Sequence, residues 1–206
     1  MVDTSAATAA GAYVLSENSL YTVDAFRDYL NHLNPGGMLT VSWGTMPRLA
    51  GGERLCSVAR AALRERGADP ARCVAVISTF KEKLNEGLML HNVMIKPEPF
   101  TAEEIAGIKD TAEKMGFILT YVPGMPPSES EEMKNWIPTI LATADDAALA
   151  KRMARWPLDV SPVTDDRPFF FYQNRITDIG DVLLQVLQRI AQLQRHEVHR
   201  SQLQNV

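Results

Sequence analysis

Apolar residues in the first 122 positions switch repeatedly between a helical and a strand-like spacing, and this alternation limits the fold more than any other feature of the sequence. The longer stretches repeat apolar residues every three or four positions, whereas the short stretches between them are continuously apolar or alternate. Chains with this pattern fold into layered domains in which helices cover a sheet. We therefore predict an α/β fold with a largely parallel sheet.

Caps and turn residues delimit the predicted elements. Thr22 and Thr101 are predicted helix N-caps, and Thr101 begins a capping box with Glu104. The turn at residues 34–37 (Asn-Pro-Gly-Gly) ends the first helix, and Gly116 ends the helix that follows Thr101. The predicted strands cover residues 38–43, 73–77, 88–95 and 117–122. The predicted helices cover residues 23–33, 52–66, 102–115, 129–142, 145–155 and 178–203, of which the last is amphipathic.

The composition is that of a folded, acidic domain. The chain of 206 residues is 46% hydrophobic and carries 21 Lys and Arg against 25 Asp and Glu. This apolar content excludes intrinsic disorder, and the acidic balance argues against a nucleic-acid-binding protein, which normally presents a basic surface. No apolar stretch approaches the roughly 20 residues that span a bilayer, and no basic residue precedes Arg27 as a secretory signal requires. We therefore expect a cytoplasmic protein without a membrane span.

Neither the cysteines nor the histidines predict a disulfide or a metal site. Cys56 and Cys73 are too few for a disulfide framework, so we interpret them as buried thiols in a reducing compartment. His196 and His199 lie one turn apart on the last predicted helix, but no third ligand or acidic partner accompanies them. We therefore predict solvated histidines and no metal ion.

The sequence lacks the turn that binds a cofactor in a complete doubly wound domain, where two halves of the sheet meet around the ligand. It contains neither G-x-G-x-x-G nor G-x-x-x-x-G-K-[ST], and its glycine pairs at positions 36–37 and 51–52 lie in predicted turns. Residues 1–3 look like the end of a strand and lead directly into a loop over residues 4–21. We therefore predict a partial doubly wound, Rossmann-like sheet without the cofactor-binding half.

Four segments of the sequence resemble the spermidine synthase-like domain, which has the fold of class I S-adenosylmethionine-dependent methyltransferases. Three lie near the N-terminus, at residues 2–5 (Val-Asp-Thr-Ser), 16–21 (Ser-Glu-Asn-Ser-Leu-Tyr) and 33–41 (Leu-Asn-Pro-Gly-Gly-Met-Leu-Thr-Val). The fourth, Thr-Asp-Asp-Arg-Pro-Phe-Phe-Phe at residues 164–171, is similar to the segment that closes many such domains. Residues 15–26 are very similar to the corresponding stretch of the large bacterial membrane proteins that carry a spermidine synthase-like domain.

The resemblance implies aminopropyl transfer, in which an amine attacks a carbon activated by a sulfonium group. The amine must lose a proton to attack, so the site needs a carboxylate that accepts it. Asp3 matches the residue proposed for this catalytic role in the family, and Glu17, Ser19 and Tyr21 match the substrate-binding segment after the active-site loop. By the resemblance, the cofactor of a complete domain is S-adenosylmethionine or its decarboxylated form, and the partner is a small amine.

Two further positions bear on the substrate. The family's second aspartate, which helps to bind the amine, is replaced here by Ala6, and no proline follows it. Recognition of a polyamine is weaker without this carboxylate, so a different acceptor or methyl transfer is an open alternative. Trp43 ends a predicted strand where folds of this kind have their ligand-binding loops, and we include it among the candidate substrate-binding residues.

Most of these candidates also have a purely structural interpretation. Asp3 and Glu17 could cap or solvate the loops in which they lie. Tyr21 and Trp43 could be packing residues. The charged residues at 165–167 (Asp-Asp-Arg) could form an ion pair that closes the fold.

The sequence divides into three parts. Residues 1–122 are predicted to be the C-terminal half of a methyltransferase-like α/β domain, residues 123–175 a helical and irregular extension that closes the fold, and residues 176–206 an amphipathic helix. The resemblance, which extends over residues 2–175, implies a truncated transferase that is inactive or weakly active alone. The alternative is a non-catalytic structural or interaction module that self-associates as a homodimer to cover an exposed sheet edge. Enzyme and non-catalytic module are both open alternatives.

Overall fold

Strands and helices alternate along the chain as the sequence pattern predicts. A computed structural model describes residues 18–45, 50–80, 89–127 and 136–175 of the protein. The strands in these ranges are β1 (Leu39–Thr45), β2 (Val74–Phe80), β3 (Met89–Ile95) and β4 (Ile118–Tyr121). The helices are α1 (Val23–Asn31), α2 (Gly51–Glu65), α3 (Pro70–Cys73), α4 (Ala102–Met115), α5 (Trp136–Ala142) and α6 (Asp146–Met153). The described residues thus form a mixed α/β fold.

The chain divides into two compact units, Met1–Gln173 and Asn174–Val206. All the elements named above belong to the first unit, and the predicted amphipathic helix at residues 178–203 lies outside the described residues. Within the described ranges, no helix is long and apolar enough to cross a membrane.

The sheet is antiparallel, so the prediction of a largely parallel sheet is wrong for the described strands. Its order is β1-β3-β2-β4, and each neighbouring pair is antiparallel. β1 and β2 run in the same direction and are joined through helices, as a parallel crossover would be, but they are not neighbours. β3 is an antiparallel neighbour of β2 because the connection over residues 81–88 is too short for the crossover of about a dozen residues that a parallel strand requires. The chain therefore turns back after β2 and pairs with it in the antiparallel direction.

Helices cover both faces of this sheet, so the fold has three layers. α1, α2 and α5 pack in the larger core on one face, and α4 covers the smaller core on the other. Alternate side chains of β2 and β3 enter the two cores: Val76 and Val93 belong to the larger one, and Ala75 and Met94 to the smaller. Ile105 of α4 packs against the smaller core.

Helix caps lie where the sequence predicts them. The Thr22 hydroxyl accepts a hydrogen bond from Ala25 N at 3.1 Å at the start of α1. Thr101 and Glu104 form the reciprocal capping box of α4, with N–O distances of 3.1 and 2.8 Å. Gly116 follows α4 with a φ of 69°, which glycine adopts without strain. Both predicted helices are confirmed, with ends within two residues of the prediction.

The short helix α3 is absent from the sequence-based prediction, which has Cys73 at the start of a strand. Pro70 occupies the first helical position, where its missing N–H costs nothing, and Asp69 accepts a hydrogen bond from Ala71 N at 3.1 Å. This cap holds one helical turn before β2, which therefore begins one residue later than predicted. The predicted helix at residues 129–142 is described only over α5.

α2 is enclosed over most of its length. Every residue from 51 to 60 is buried, although the sequence marks only one apolar face. α1, α5 and β1 pack around the helix, and the irregular segment at residues 159–173 covers its remaining side. The buried residues therefore include three charged ones, Glu53, Arg54 and Arg60. Arg60 pairs with an aspartate at the start of α6.

Candidate functional site

Three side chains form a row across the sheet beneath the first turn of α2. Trp43 of β1 is paired with His91 of β3, and His91 is in turn paired with Ser78 of β2. Residues directly opposite each other in antiparallel strands share a face of the sheet, so these side chains are neighbours. The row Trp43–His91–Ser78 is the framework of the candidate site.

Two glycines at the start of α2 let the helix approach this row closely. A β-carbon on Gly51 would lie 2.0 Å from Trp43 Nε1, and one on Gly52 would lie 2.4 Å from His91 Cδ2. The two rings therefore take up the close approach to a glycine backbone that dinucleotide-binding folds use for the pyrophosphate. The N–H of the residue before the helix is also occupied, by a hydrogen bond to Gln173 Oε1 at 2.7 Å. The described residues at this helix end do not fit a nucleotide cofactor.

Replacing Gly51 by alanine is expected to destabilise the protein by about 2 kcal/mol, because the new methyl group overlaps the Trp43 ring. The matched control is Gly107→Ala in α4, where a β-carbon meets no atom within 4 Å. Removing a glycine from this helix interior is expected to stabilise the protein by about 0.5–1 kcal/mol. Urea unfolding measures both changes, and a Gly51→Ala variant as stable as the wild type would contradict this close packing.

His91 is a buried, neutral histidine held by hydrogen bonds within the sheet. Its Nδ1 lies 2.7 Å from Ser78 Oγ, which is also bonded to Thr120 Oγ1 beside it on β4. Burial lowers the pKa of His91 from 6.5 to about 4, so the ring is uncharged at neutral pH. The network fixes the ring where it meets Gly52.

Trp43 also belongs to an aromatic cluster with Tyr21, Phe170 and Phe171. The ring centroids of Tyr21 and Phe170 each lie 5.0 Å from that of Trp43, and the centroid of Phe171 lies 5.6 Å from it. Phe170 is fully buried, and the other three residues are partly exposed. The cluster therefore presents aromatic rings to solvent near the end of β1, and aromatic faces attract cations.

Residues 18–23 and 163–168, which both lie within the region of the sequence resemblance, are side by side in the structure. The backbone N–H of Asn18 bonds to Pro168 O at 2.8 Å, and that of Val23 bonds to Val163 O at 2.8 Å. These hydrogen bonds align the stretch before α1 with the irregular stretch after α6. The aromatic cluster is built from residues of both stretches.

Thr22 and Asp165 connect the same two stretches through their side chains. Thr22 Oγ1 donates to Asp165 Oδ1 at 2.6 Å, and the N–H of Asp165 donates to Asp24 Oδ2 at 3.0 Å. The hydrogen bond from the Asp165 backbone, assisted by one from Arg27, lowers the pKa of Asp24. Asp165, which the sequence suggested for a closing ion pair, thus joins the two stretches through hydrogen bonds at the start of α1.

Arg54 anchors the irregular segment at the end of the first unit to α2. Its guanidinium is almost completely buried and donates to the carbonyl oxygens of Phe169, Phe170 and Tyr172 at 3.2, 2.8 and 2.5 Å. It also donates to Asp159 O at 2.5 Å and lies 3.5 Å from the Asp159 carboxylate. Burial lowers the pKa of Arg54 to about 10, which leaves the side chain protonated at neutral pH.

Glu53 is buried in the first turn of α2. Among the described residues, its Oε2 has no hydrogen-bond partner, and burial raises the pKa of this carboxyl from 4.5 to about 7. Burial, and to a smaller extent the charge of Glu53, raises the pKa of Cys56 well above 9.0. Cys56 and Cys73 are both free and buried, as the sequence predicts. The Cys56 thiol is therefore unreactive at neutral pH.

Two of the predicted site residues come together in the structure. Tyr21 and Trp43 contact each other in the aromatic cluster. Ser19 is exposed in the 3₁₀ turn before α1, and no contact of its side chain joins it to the cluster among the residues described. Asp3 and Glu17 lie outside the described residues, so their predicted roles stay predictions.

Sequence reasoning missed His91, Ser78, Glu53 and Arg54. For His91 and Ser78 a signal was available, because each is a polar residue at an inward position of a strand whose other inward positions are apolar. For Glu53 and Arg54 there was none: residues far away in the sequence help to bury Arg54, and Glu53 lies beside it in the same buried turn.

The functional assignment depends on this geometry and on the sequence resemblance. In the described ranges, no group of three or more His, Cys, Asp or Glu side chains could hold a metal ion. Comparison of the chain with protein-family models, with curated proteins and with solved structures finds no match.

Proposed function

We propose that the chain is the acceptor-side part of a spermidine synthase-like transferase domain. Its donor is S-adenosylmethionine or the decarboxylated form, and its acceptor is a small amine. Alone, the chain binds the donor weakly or not at all. Two observations support this: the sequence contains no glycine-rich cofactor turn, and Trp43 and His91 fill the space next to the glycine pair of α2.

The observation that carries the proposal is the assembly of the aromatic cluster from two segments of the resemblance. Tyr21 belongs to the segment at residues 16–21, and Phe170 and Phe171 belong to the segment at 164–171. Segments that serve one substrate site must meet in the fold, whereas segments that are similar by chance need not. Their meeting at Trp43 therefore supports a common substrate site.

The chemistry gives each kind of side chain a role. A protonated amine is attracted to aromatic rings, and Tyr21 and Trp43 are both partly exposed. It attacks only after it has lost a proton, so a carboxylate must accept that proton, and the resemblance gives this role to Asp3. By the same resemblance, Glu17 and Ser19 help to bind the substrate.

We also propose that the described sheet is part of a doubly wound sheet. β1 is an edge strand among the described strands, and α1 precedes it as a crossover helix would. A strand joined to β1 through α1 and paired with the open edge of β1 would run parallel to it, because a helical crossover joins strands that point in the same direction. The sheet would then be the second half of a Rossmann-like sheet, with β3 and β4 as antiparallel additions.

We also propose a cytoplasmic location and no nucleic-acid partner, which the acidic composition and the free, buried thiols support. The alternative function is a non-catalytic module that self-associates through an open edge of the sheet. This alternative requires a dimer, which size-exclusion chromatography with light scattering would detect.

Calorimetric titration with putrescine and spermidine tests the proposed function. We expect an amine to bind in the millimolar range or tighter, and Trp43→Leu to weaken its binding about tenfold because a cation–π contact is lost. The control is Phe169→Leu, which replaces an exposed aromatic residue of the same segment. Parallel titrations with S-adenosylmethionine, its decarboxylated form and methylthioadenosine should show weak binding or none. If millimolar amine does not bind, the transferase proposal fails and the non-catalytic module is favoured.

A further inference from the structure

We propose that His91 is a positioning residue that, together with Ser78, holds Trp43 in the orientation that the amine site requires. The role of Trp43 in binding an amine rests on the proposed function. The placement of the Trp43 ring by His91 does not, and it is tested separately below.

The sheet places His91 between Trp43 and Ser78. His91 lies directly opposite Trp43 of β1 on one side and opposite Ser78 of β2 on the other. Directly opposite side chains are the closest neighbours across an antiparallel pair. The imidazole is therefore next to the indole on the face of the sheet that α2 covers.

The first turn of α2 and the aromatic cluster also pack against the indole. A β-carbon on Gly51 would lie 2.0 Å from Trp43 Nε1, so the ring cannot move toward the helix without displacing the backbone. The rings of Tyr21 and Phe170 also pack against the indole, with centroids each 5.0 Å from that of Trp43. His91 borders the indole on the side of β3.

Ser78 fixes the orientation of the imidazole. Its Oγ lies 2.7 Å from His91 Nδ1, and Thr120 holds the same hydroxyl from β4. The hydrogen bond of one ring nitrogen determines both the tautomer and the rotation of a histidine. Without this bond, the imidazole could turn and would no longer hold the indole in place.

The polar pair is costly at these positions, which argues that it does more than fill the core. The neighbouring inward residues of the same strands, Val76 and Val93, are apolar and fully buried. A buried hydroxyl and imidazole must be desolvated, which an apolar pair avoids. What the polar pair adds is a directional hydrogen bond that makes one arrangement of the side chains rigid.

Fluorine NMR of protein labelled with 5-fluorotryptophan tests the placement, since the chain has three tryptophans and Trp43→Phe identifies the signal of Trp43. Ser78→Ala is expected to shift the Trp43 signal and to leave those of Trp136 and Trp156 unchanged. The same variant should bind the amine at least threefold more weakly. Ser78→Thr, which keeps the hydroxyl, should restore both properties.

The matched control is Asn92→Ala. Asn92 Nδ2 donates to Ser42 Oγ at 2.9 Å, so the substitution also removes a hydrogen bond between β-strand side chains, one position away and on the opposite face. We expect the Trp43 signal to stay unchanged in this variant. A shift as large as that of Ser78→Ala would overturn the proposal. The signal would then respond to the loss of any hydrogen bond between strand side chains, and not specifically to the loss of the bond between Ser78 and His91.

An unshifted Trp43 signal in Ser78→Ala would also overturn the placement by His91. If this variant does not fold, His91→Asn provides the second test, because asparagine keeps an acceptor near Ser78 but removes the ring beside Trp43. Its Trp43 signal must shift, and an unchanged signal would refute the proposal. Failure of the wild type to bind any amine would contradict the proposed function, whereas the fluorine signals would still decide whether His91 positions Trp43.

Discussion

Replacement of Arg54 by methionine is expected to lower the free energy of unfolding by about 4 kcal/mol. Methionine fills most of the buried volume but has no donors for the four carbonyl oxygens that Arg54 binds in residues 159–172. Each hydrogen bond to a charged group contributes about 1.5–3 kcal/mol, and these carbonyls have limited access to water once the segment is packed on α2. Urea unfolding of wild type and variant measures the loss.

Arg27→Met is the control for the change of charge. Arg27 is half-exposed and pairs with Asp24 at 2.9 Å and with Glu65 at 3.5 Å, and because surface ion pairs contribute little, its loss is expected to lower the free energy of unfolding far less than that of Arg54. If Arg54→Met cost no more than Arg27→Met, Arg54 would not anchor the segment to α2. The Trp43 fluorine signal should move in Arg54→Met, because Phe170 lies in the segment that is released.

Features that depend on neighbouring residues could be predicted from the sequence. The capping box of Thr101 and Glu104 and the N-cap of Thr22 are interactions within one helical turn, so their residue types are enough to identify them. Gly116 ends α4 because glycine adopts a positive φ without strain. Such signals give the order of helices and strands along the chain.

The arrangement of the sheet could not be predicted in the same way. The apolar patterns of β2 and β3 do not indicate which strands become neighbours in the sheet. The prediction of a parallel sheet therefore assumed that alternating strands and helices form parallel pairs. The absence of a helical pattern in residues 81–88 was the signal that β3 returns beside β2. The insertion of β3 between β1 and β2 follows from contacts between distant residues, which periodicity does not encode.

The same difference between local features and long-range contacts holds for the candidate site. Tyr21 and Trp43 were identified from motif and position, and the structure brings them into contact. The neighbours of Trp43 could not be identified, because the register of β1 on β3 determines that His91 lies opposite it. Arg54 became buried only when the distant segment after α6 packed on α2. Candidate residues were thus predictable, whereas the contacts that orient them were not.

The carboxyl of Glu53 and the imidazole of His91 are expected to change the stability of the protein with pH in opposite directions. Burial raises the pKa of Glu53 from an ordinary value of 4.5 to about 7 in the folded protein. The folded state thus binds this proton more tightly than the unfolded state. Its contribution to stability is complete below pH 4.5, and about 3 kcal/mol is lost as the pH rises through 7.

The contribution of His91 to stability changes with pH in the opposite direction. Its pKa falls from 6.5 to about 4 on folding, so the unfolded chain binds this proton more tightly. The contribution of His91 is complete above pH 6.5, and about 3 kcal/mol is lost as the pH falls through 4. Between pH 4.5 and 6.5, Glu53 lowers the free energy of unfolding as the pH rises and His91 raises it. Together these two groups therefore leave the stability of the wild type nearly constant in this range.

Glu53→Gln removes the pH dependence that Glu53 gives to the free energy of unfolding and leaves that of His91. Glutamine stays neutral at every pH, so the variant should match the wild type near pH 4 and exceed its free energy of unfolding by about 3 kcal/mol near pH 8. Urea unfolding at a series of pH values measures this difference, in which the contributions of groups that both proteins share cancel. Glu113→Gln removes the same charge from an exposed position of α4 and is the control. A difference that did not grow with pH would mean that folding leaves the proton affinity of Glu53 unchanged, and its carboxyl would then have to be accessible to water.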